Sequence, residues 1–111
     1  MLSEVQIVKI KKTVDKKDTK LPMVFNALSD PGRFHIFKFL MKYHDVCVTD
    51  IANVFEISVP AASQQLRILE ITGLIRKERM GQMICYTIKD DDQVVKSLIK
   101  LFKEKVVKNN F

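Results

Sequence analysis

Cysteine is nearly absent from this chain, whose 111 residues hold two, Cys47 and Cys85. Two thiols at this spacing make neither the disulfide framework of a small secreted domain nor a CxxC or zinc-finger pattern, so both are expected to be reduced. Glycine is also scarce, at three residues, and none opens a phosphate-cradling loop. No apolar run reaches the ~18 residues of a membrane span. The start, Met1-Leu2-Ser3-Glu4, lacks the basic-then-apolar order of a secretory signal, and the expectation is a cytoplasmic protein with no membrane partner. Catalytic constellations are missing as well. Ser63, His35, His44, Cys47 and the aspartates show no nucleophile–base spacing that survives a helical reading, which predicts no enzyme and no cofactor.

What is present is one domain's worth of chain. The apolar share of 47% suits a single core at this length. Lysine and arginine number 19 against 13 acidic residues, a net charge of +6 that favours anionic partners such as duplex DNA, RNA or acidic membrane. Residues 1–20 read as a basic N-terminal extension carrying Lys9, Lys11, Lys12, Lys16, Lys17 and Lys20. Val5, Ile7, Val8 and Ile10 fit neither the helical nor the strand period, so a packed helix and a mobile arm both remain open. Residues 21–108 read as the folded domain.

Within it, Pro22 suits a first helical turn, with Val24, Phe25 and Leu28 on one face. Ser29 or Asp30 caps a second helix, with Pro31 placed where a missing N–H costs nothing. That helix runs to about Tyr43 and buries Ile36, Phe37, Leu40 and Met41, leaving Arg33, His35 and Lys42 to solvent. Thr49 is expected to cap a short third helix facing inward through Ile51, Ala52 and Phe55. A turn at Glu56-Ile57-Ser58 leads to a fourth, from Ser58 to Thr72, ended by Gly73 in a left-handed conformation. Its buried line is Ala62, Leu66 and Leu69. The outer face of its first half carries Pro60, Ala61, Ser63, Gln64 and Arg67, with Gln65 beside them.

After Gly73 the period changes to two. Leu74–Arg79 and Gln82–Ile88 predict a hairpin turning at Met80-Gly81, with Ile84, Tyr86 and Ile88 toward the core and Met83, Cys85 and Thr87 away from it. Asp90, Asp91 and Asp92 suit the positive end of a last helix. Val94, Val95, Leu98, Leu101, Phe102 and Val106 form its apolar stripe, between Lys96, Lys100, Lys103 and Lys105.

Helix, tight turn, polar-faced helix and basic hairpin make a winged helix-turn-helix, mainly α with a small β-hairpin: about five helices plus a two-stranded wing. A major groove about 12 Å wide admits one helix and offers donors, acceptors and thymine methyls. Gln64, Gln65 and Arg67 can reach base edges or phosphates, Ser63 a phosphate, and Pro60 and Ala61 a methyl group. Arg76, Lys77, Arg79 and Gln82 are the wing's candidates for the flanking backbone. The expected function is sequence-specific binding of double-stranded DNA. The alternative is a winged-helix module for protein contacts, which clustered aromatics on the fourth helix would favour.

The chain also resembles the ArsR/SmtB repressors over about Val24 to Phe102. The resemblance is carried by Ala27-Leu28-Ser29-Asp30-Pro31 with Arg33, Cys47-Val48-Thr49-Asp50-Ile51-Ala52, Ser63-Gln64-Gln65-Leu66 with Leu69, Gly73-Leu74-Ile75, and Tyr86. It implies a homodimer built from the first and last helices, two recognition helices on a palindromic operator, and repression relieved by an effector the residues do not identify. The candidate dimer residues are Val24, Phe25, Val94, Leu98, Leu101 and Phe102. Departures from the family matter too. Thr49 stands where metal-sensing members place a second cysteine, and Phe102, Lys103 and Val106 cannot ligate where zinc-binding members use His and Glu. Val59 replaces a polar residue after the helix-starting serine. The expectation is therefore a chain without a metal site, and Cys47 and Cys85 remain the candidate thiol sensors.

Overall fold

The computed structural model describes residues 1–14 and 19–103. Lys16, Lys17, Lys105 and Val106, and with them the last residues of the expected 21–108 domain, lie outside that range. Among the described residues, six helices and a three-stranded sheet follow one another as α1 (Glu4–Thr13), α2 (Lys20–Ser29), α3 (Pro31–Lys42), β1 (Val46–Cys47), α4 (Val48–Phe55), α5 (Val59–Ile71), β2 (Ile75–Met80), β3 (Met83–Ile88) and α6 (Gln93–Leu101). The architecture is the expected winged helix-turn-helix, with two additions.

The first addition is α1. Ser3 caps it in a reciprocal box: its Oγ accepts from Gln6 N at 3.2 Å while Gln6 Oε1 accepts from Ser3 N at 2.9 Å. No residue of α1 is buried, so its helicity rests on local capping and propensity. The second addition is β1, two residues that pair antiparallel with β3, giving the sheet order β1-β3-β2. Cys47 is thereby the residue that precedes α4, and Asp50 Oδ2 accepts its N–H at 2.9 Å. The expected cap, Thr49, lies inside the helix instead.

The core gathers Val24, Ala27, Ile36, Phe37, Leu40, Ile51, Ala62, Leu66, Leu69, Leu74, Ile75 and Val95, all at or below 2% exposure, with others around them. Phe102 closes one end, packing edge-on against Phe34 and Phe37 with ring centroids 5.3 and 6.1 Å away. Two caps behave as the sequence suggests: Asp30 accepts from Arg33 N at 3.0 Å, and Asp92 accepts from Val94 N and Val95 N. Asp92 also bonds Lys20 Nζ at 2.8 Å, tying α6 to the start of α2. This contact and the amides of α6 hold its carboxyl below the usual range.

Three surface assignments are corrected. Arg33 is half-buried, its Nε donating to the Ala27 carbonyl at 2.8 Å. Of the helix face given to Val24, Phe25 and Leu28, Val24 is buried, while Phe25 is 63% exposed, a position open to its expected dimer role. Ile84 is 41% exposed, whereas Cys85 is buried along with Tyr86 and Ile88. Strand alternation correctly puts Cys85 and Tyr86 on opposite faces. The inner half of β3 is covered on both, however, and the strand then runs out past the core before reaching Ile84.

Candidate nucleic-acid interface

The helix-turn-helix is α4 and α5, packed on each other; α5 also packs on α3, and α4 touches α3 through Phe55 edge-on to Phe39. Glu56 ends α4 in a left-handed conformation, φ 54°, which turns the chain sharply into Ser58. Ser58 Oγ accepts from Ala61 N at 3.2 Å and starts α5, with Pro60 in its first turn. Gly73, at φ 80°, terminates the unit in a conformation that an L side chain would strain. Local chemistry therefore fixes both ends of α5, and Ala62, Leu66 and Leu69 pin one face of it at zero exposure.

That anchoring leaves Pro60, Ala61, Ser63, Gln64 and Arg67 exposed on the first half of α5, as the sequence predicts. Gln65 departs from the expected set. It is half-buried, its Oε1 accepting from Arg33 Nη1 at 3.1 Å and its Nε2 lying 3.4 Å from Asp30 Oδ2. The same Asp30 oxygen caps α3, so one small network of Asp30, Arg33 and Gln65 braces α5 against the α2–α3 junction. Gly32 leaves it room, since a Cβ there would sit 3.2 Å from Asp30 Oδ2 and 3.3 Å from Gln65 Nε2. Arg33, left to solvent by the helical period, is the residue whose bracing role sequence reasoning missed. Its signal was the capping aspartate three positions earlier, followed by an arginine on a helix otherwise apolar at that level.

The wing is β2 and β3, in register from Ile75↔Ile88 to Met80↔Met83, with Gly81-Gln82 as its two-residue turn. Gly81 has φ 67°, the positive value that primed hairpin turns require. Of the wing's basic residues, Arg76 is paired with Asp91 and Lys77 lies 4.0 Å from Glu70. Both stand near the base of the hairpin. The Arg76 guanidinium holds the Asp91 carboxyl below its ordinary range. Arg79 and Gln82 are exposed toward the tip.

The candidate dimer residues divide into two groups. Leu21, Phe25, Val94, Leu98 and Leu101 line a shallow apolar groove between α2 and α6, and Phe25 and Leu101 are exposed there. Val24 and Phe102 are spent inside the chain's own core, Leu98 is buried in that core as well as lining the groove, and Leu21 joins the groove without having been a candidate. The thiols are brought together: Cys47 Sγ and Cys85 Sγ lie 3.5 Å apart, both buried. The hydrogen bond to Cys85, with burial and the Asp50 carboxylate adding to it, pushes the Cys47 thiol up to about 11. Among the described residues, no three of His, Cys, Asp and Glu converge as a metal site would need.

Residues 30–77 match the family model described as bacterial regulatory protein, arsR family. A cadmium resistance transcriptional regulatory protein CadC homolog of Staphylococcus aureus is 38% identical over 77 residues, covering 69% of this chain and 62% of that protein. The transcriptional repressor SdpR of Bacillus subtilis is 43% identical over 65 residues, covering 59% of this chain and 71% of SdpR. The chain thus spans about three fifths of the length of the Staphylococcus relative. Among solved structures, HlyU of Vibrio cholerae superimposes with a TM-score of 0.72 at 24% identity, covering 85% of this chain and 99% of HlyU. The homodimeric winged helix-turn-helix DNA-binding domain of a possible ArsR-family regulator from Mycobacterium bovis gives 0.67 at 24% identity, covering 86% and 90%.

Proposed function

Because the chain belongs to the arsR family of bacterial regulatory proteins, we propose that it is a transcriptional repressor that reads a palindromic duplex operator as a homodimer. The observation that carries this reading is α5. Its buried face is locked by three side chains without exposure, while its first half turns Pro60, Ala61, Ser63, Gln64 and Arg67 outward. Small and hydrogen-bonding groups held rigidly on one helix face suit the edges of a major groove. Ser63, Gln64 and Arg67 then face bases or phosphates, and Arg79 and Gln82 at the wing tip track the flanking backbone. Arg76 and Lys77 serve first as braces of the hairpin base and contribute to the local positive field.

Dimerisation is supported by the groove of Leu21, Phe25, Val94, Leu98 and Leu101 and by the homodimeric Mycobacterium domain of the same fold. A second copy of the chain supplies the matching apolar face. Cadmium, named for the Staphylococcus relative, is left out of the reading, since zinc-like ions take three or four converging donors. The test is a gel-shift selection from genomic fragments with reduced protein. A recovered set sharing an inverted repeat supports the proposal, and capture of fragments with no shared sequence contradicts it.

A further inference from the structure

Cys47 and Cys85 are 38 residues apart in sequence, yet they are direct partners across the β1–β3 ladder, with their sulfurs in contact. Exposure is 8% at Cys47 and 5% at Cys85, and each sulfur has the other at 3.5 Å. The pair also sits at a junction. Cys47 is the residue from which α4, the first helix of the helix-turn-helix, departs. Cys85 lies in the strand that continues outward into the wing.

We propose that Cys47 and Cys85 form an intramolecular dithiol–disulfide switch, closed by a small hydroperoxide, whose closure lowers affinity for the operator. The chemistry balances within the pair. One thiol loses its proton and its sulfur attacks the peroxide oxygen; the O–O bond breaks, leaving a sulfenic acid and releasing water or an alcohol. The second thiol then loses its proton, its sulfur attacks the sulfenic sulfur, the S–O bond breaks, and hydroxide takes up the proton to leave as water. Two thiols are oxidised by two electrons in all, and the hydroperoxide is reduced by two. The adjacent second sulfur intercepts the sulfenic acid before further oxidation.

Closure has a mechanical consequence. A sulfur–sulfur bond is about 2.05 Å long, so the two atoms must approach by roughly 1.5 Å from their relaxed contact. Antiparallel partners already stand within the Cα range of a disulfide, so side-chain rotation supplies the approach and the bond then ties the start of α4 covalently to the wing strand. The tie removes the freedom of the helix-turn-helix and the hairpin to adjust to each other, and these are the two parts that must meet one duplex together.

This inference rests on the DNA-binding reading, and its test keeps the two separable. Full-length protein is treated with hydrogen peroxide and followed by intact mass, by peptide mapping and by operator titration. The expected result is a loss of two hydrogens, a linked peptide joining Cys47 to Cys85, and at least about a fivefold loss of operator affinity that a dithiol reductant restores. Cys85→Ala and Cys47→Ala, checked for folding by circular dichroism, should lose both the cross-link and the response. A wild-type chain that gains sulfinic acid without the linked peptide overturns the proposal. So does a linked chain whose operator affinity is unchanged or raised. Failure of the reduced protein to bind any operator would refute the DNA reading, while the mass measurement still decides whether the thiols pair.

Discussion

Gln64 and Arg67 differ from Gln65 by a rotation about one helix axis, which leaves the first two exposed while Gln65 braces Arg33 and Asp30. Gln64→Ala or Arg67→Ala should cost about 1–3 kcal/mol on operator DNA if the side chain reads a base, with folding intact. Equal loss on random duplex would make that residue a phosphate contact. Gln65→Ala leaves the half-buried Arg33 guanidinium short of an acceptor, so it should lower thermal stability by the equivalent of about 1–2 kcal/mol. Asp92 makes a pH prediction. Its carboxyl is held low by Lys20 and the first amides of α6, so its contribution is complete above the unfolded value near 3.9 and fades as pH falls through the lower folded value. Asp92→Asn keeps a capping oxygen but not the charge, so its acid denaturation limb below about pH 4 should be shallower than that of wild type. Identical limbs would contradict this. At Cys47, the thiol lacks a second thiol at Thr49, and micromolar zinc, cadmium or arsenite should shift operator affinity by less than about threefold.

Among the elements, α5 was the most legible, because a serine cap, a first-turn proline, a 3.6-residue apolar line and a terminal glycine all agree on it. The final helix was legible in its start and its stripe, but the stripe could not say which apolar residues serve the chain and which serve a partner. The structure divides them: Phe102 is locked against Phe34 and Phe37, and Leu101 is exposed. Ending the chain before Gln93 is therefore expected to unfold it rather than release a folded monomer, and Phe102→Ala alone should cost about 3–5 kcal/mol. Leu101→Lys or Phe25→Glu should instead give a folded monomer by sedimentation. Unchanged dimers in both variants would refute the groove as the interface. β1 escaped notice because two residues carry no period; the strand exists through its partner β3. The same non-local pairing hid the thiol contact. At Ile84 the alternation was right in face and wrong in cover, since a period-two pattern does not tell where a hairpin leaves the core. Asp30 was readable as a cap, Arg33 as a solvated residue and Gln65 as a groove contact, and only the convergence of α3 and α5 makes them a brace.

On the scale of the whole molecule, the net charge of +6 and the rigid polar face of α5 serve one account, in which phosphate attraction supplies affinity and the helix supplies selection. Two copies joined through the α2–α6 groove would place two such helices on one duplex, and the loss of one contact would then be amplified by the loss of tethering. The direct measurement is equilibrium binding of reduced, dimeric protein to its selected operator and to scrambled duplex across a salt series. The account predicts that both affinities fall steeply with salt, since each neutralised phosphate contributes a slope of about −0.9 in log K against log salt, while the operator stays at least about a thousandfold preferred. A flat salt response, or equal affinity for the two duplexes at every salt concentration, would contradict it.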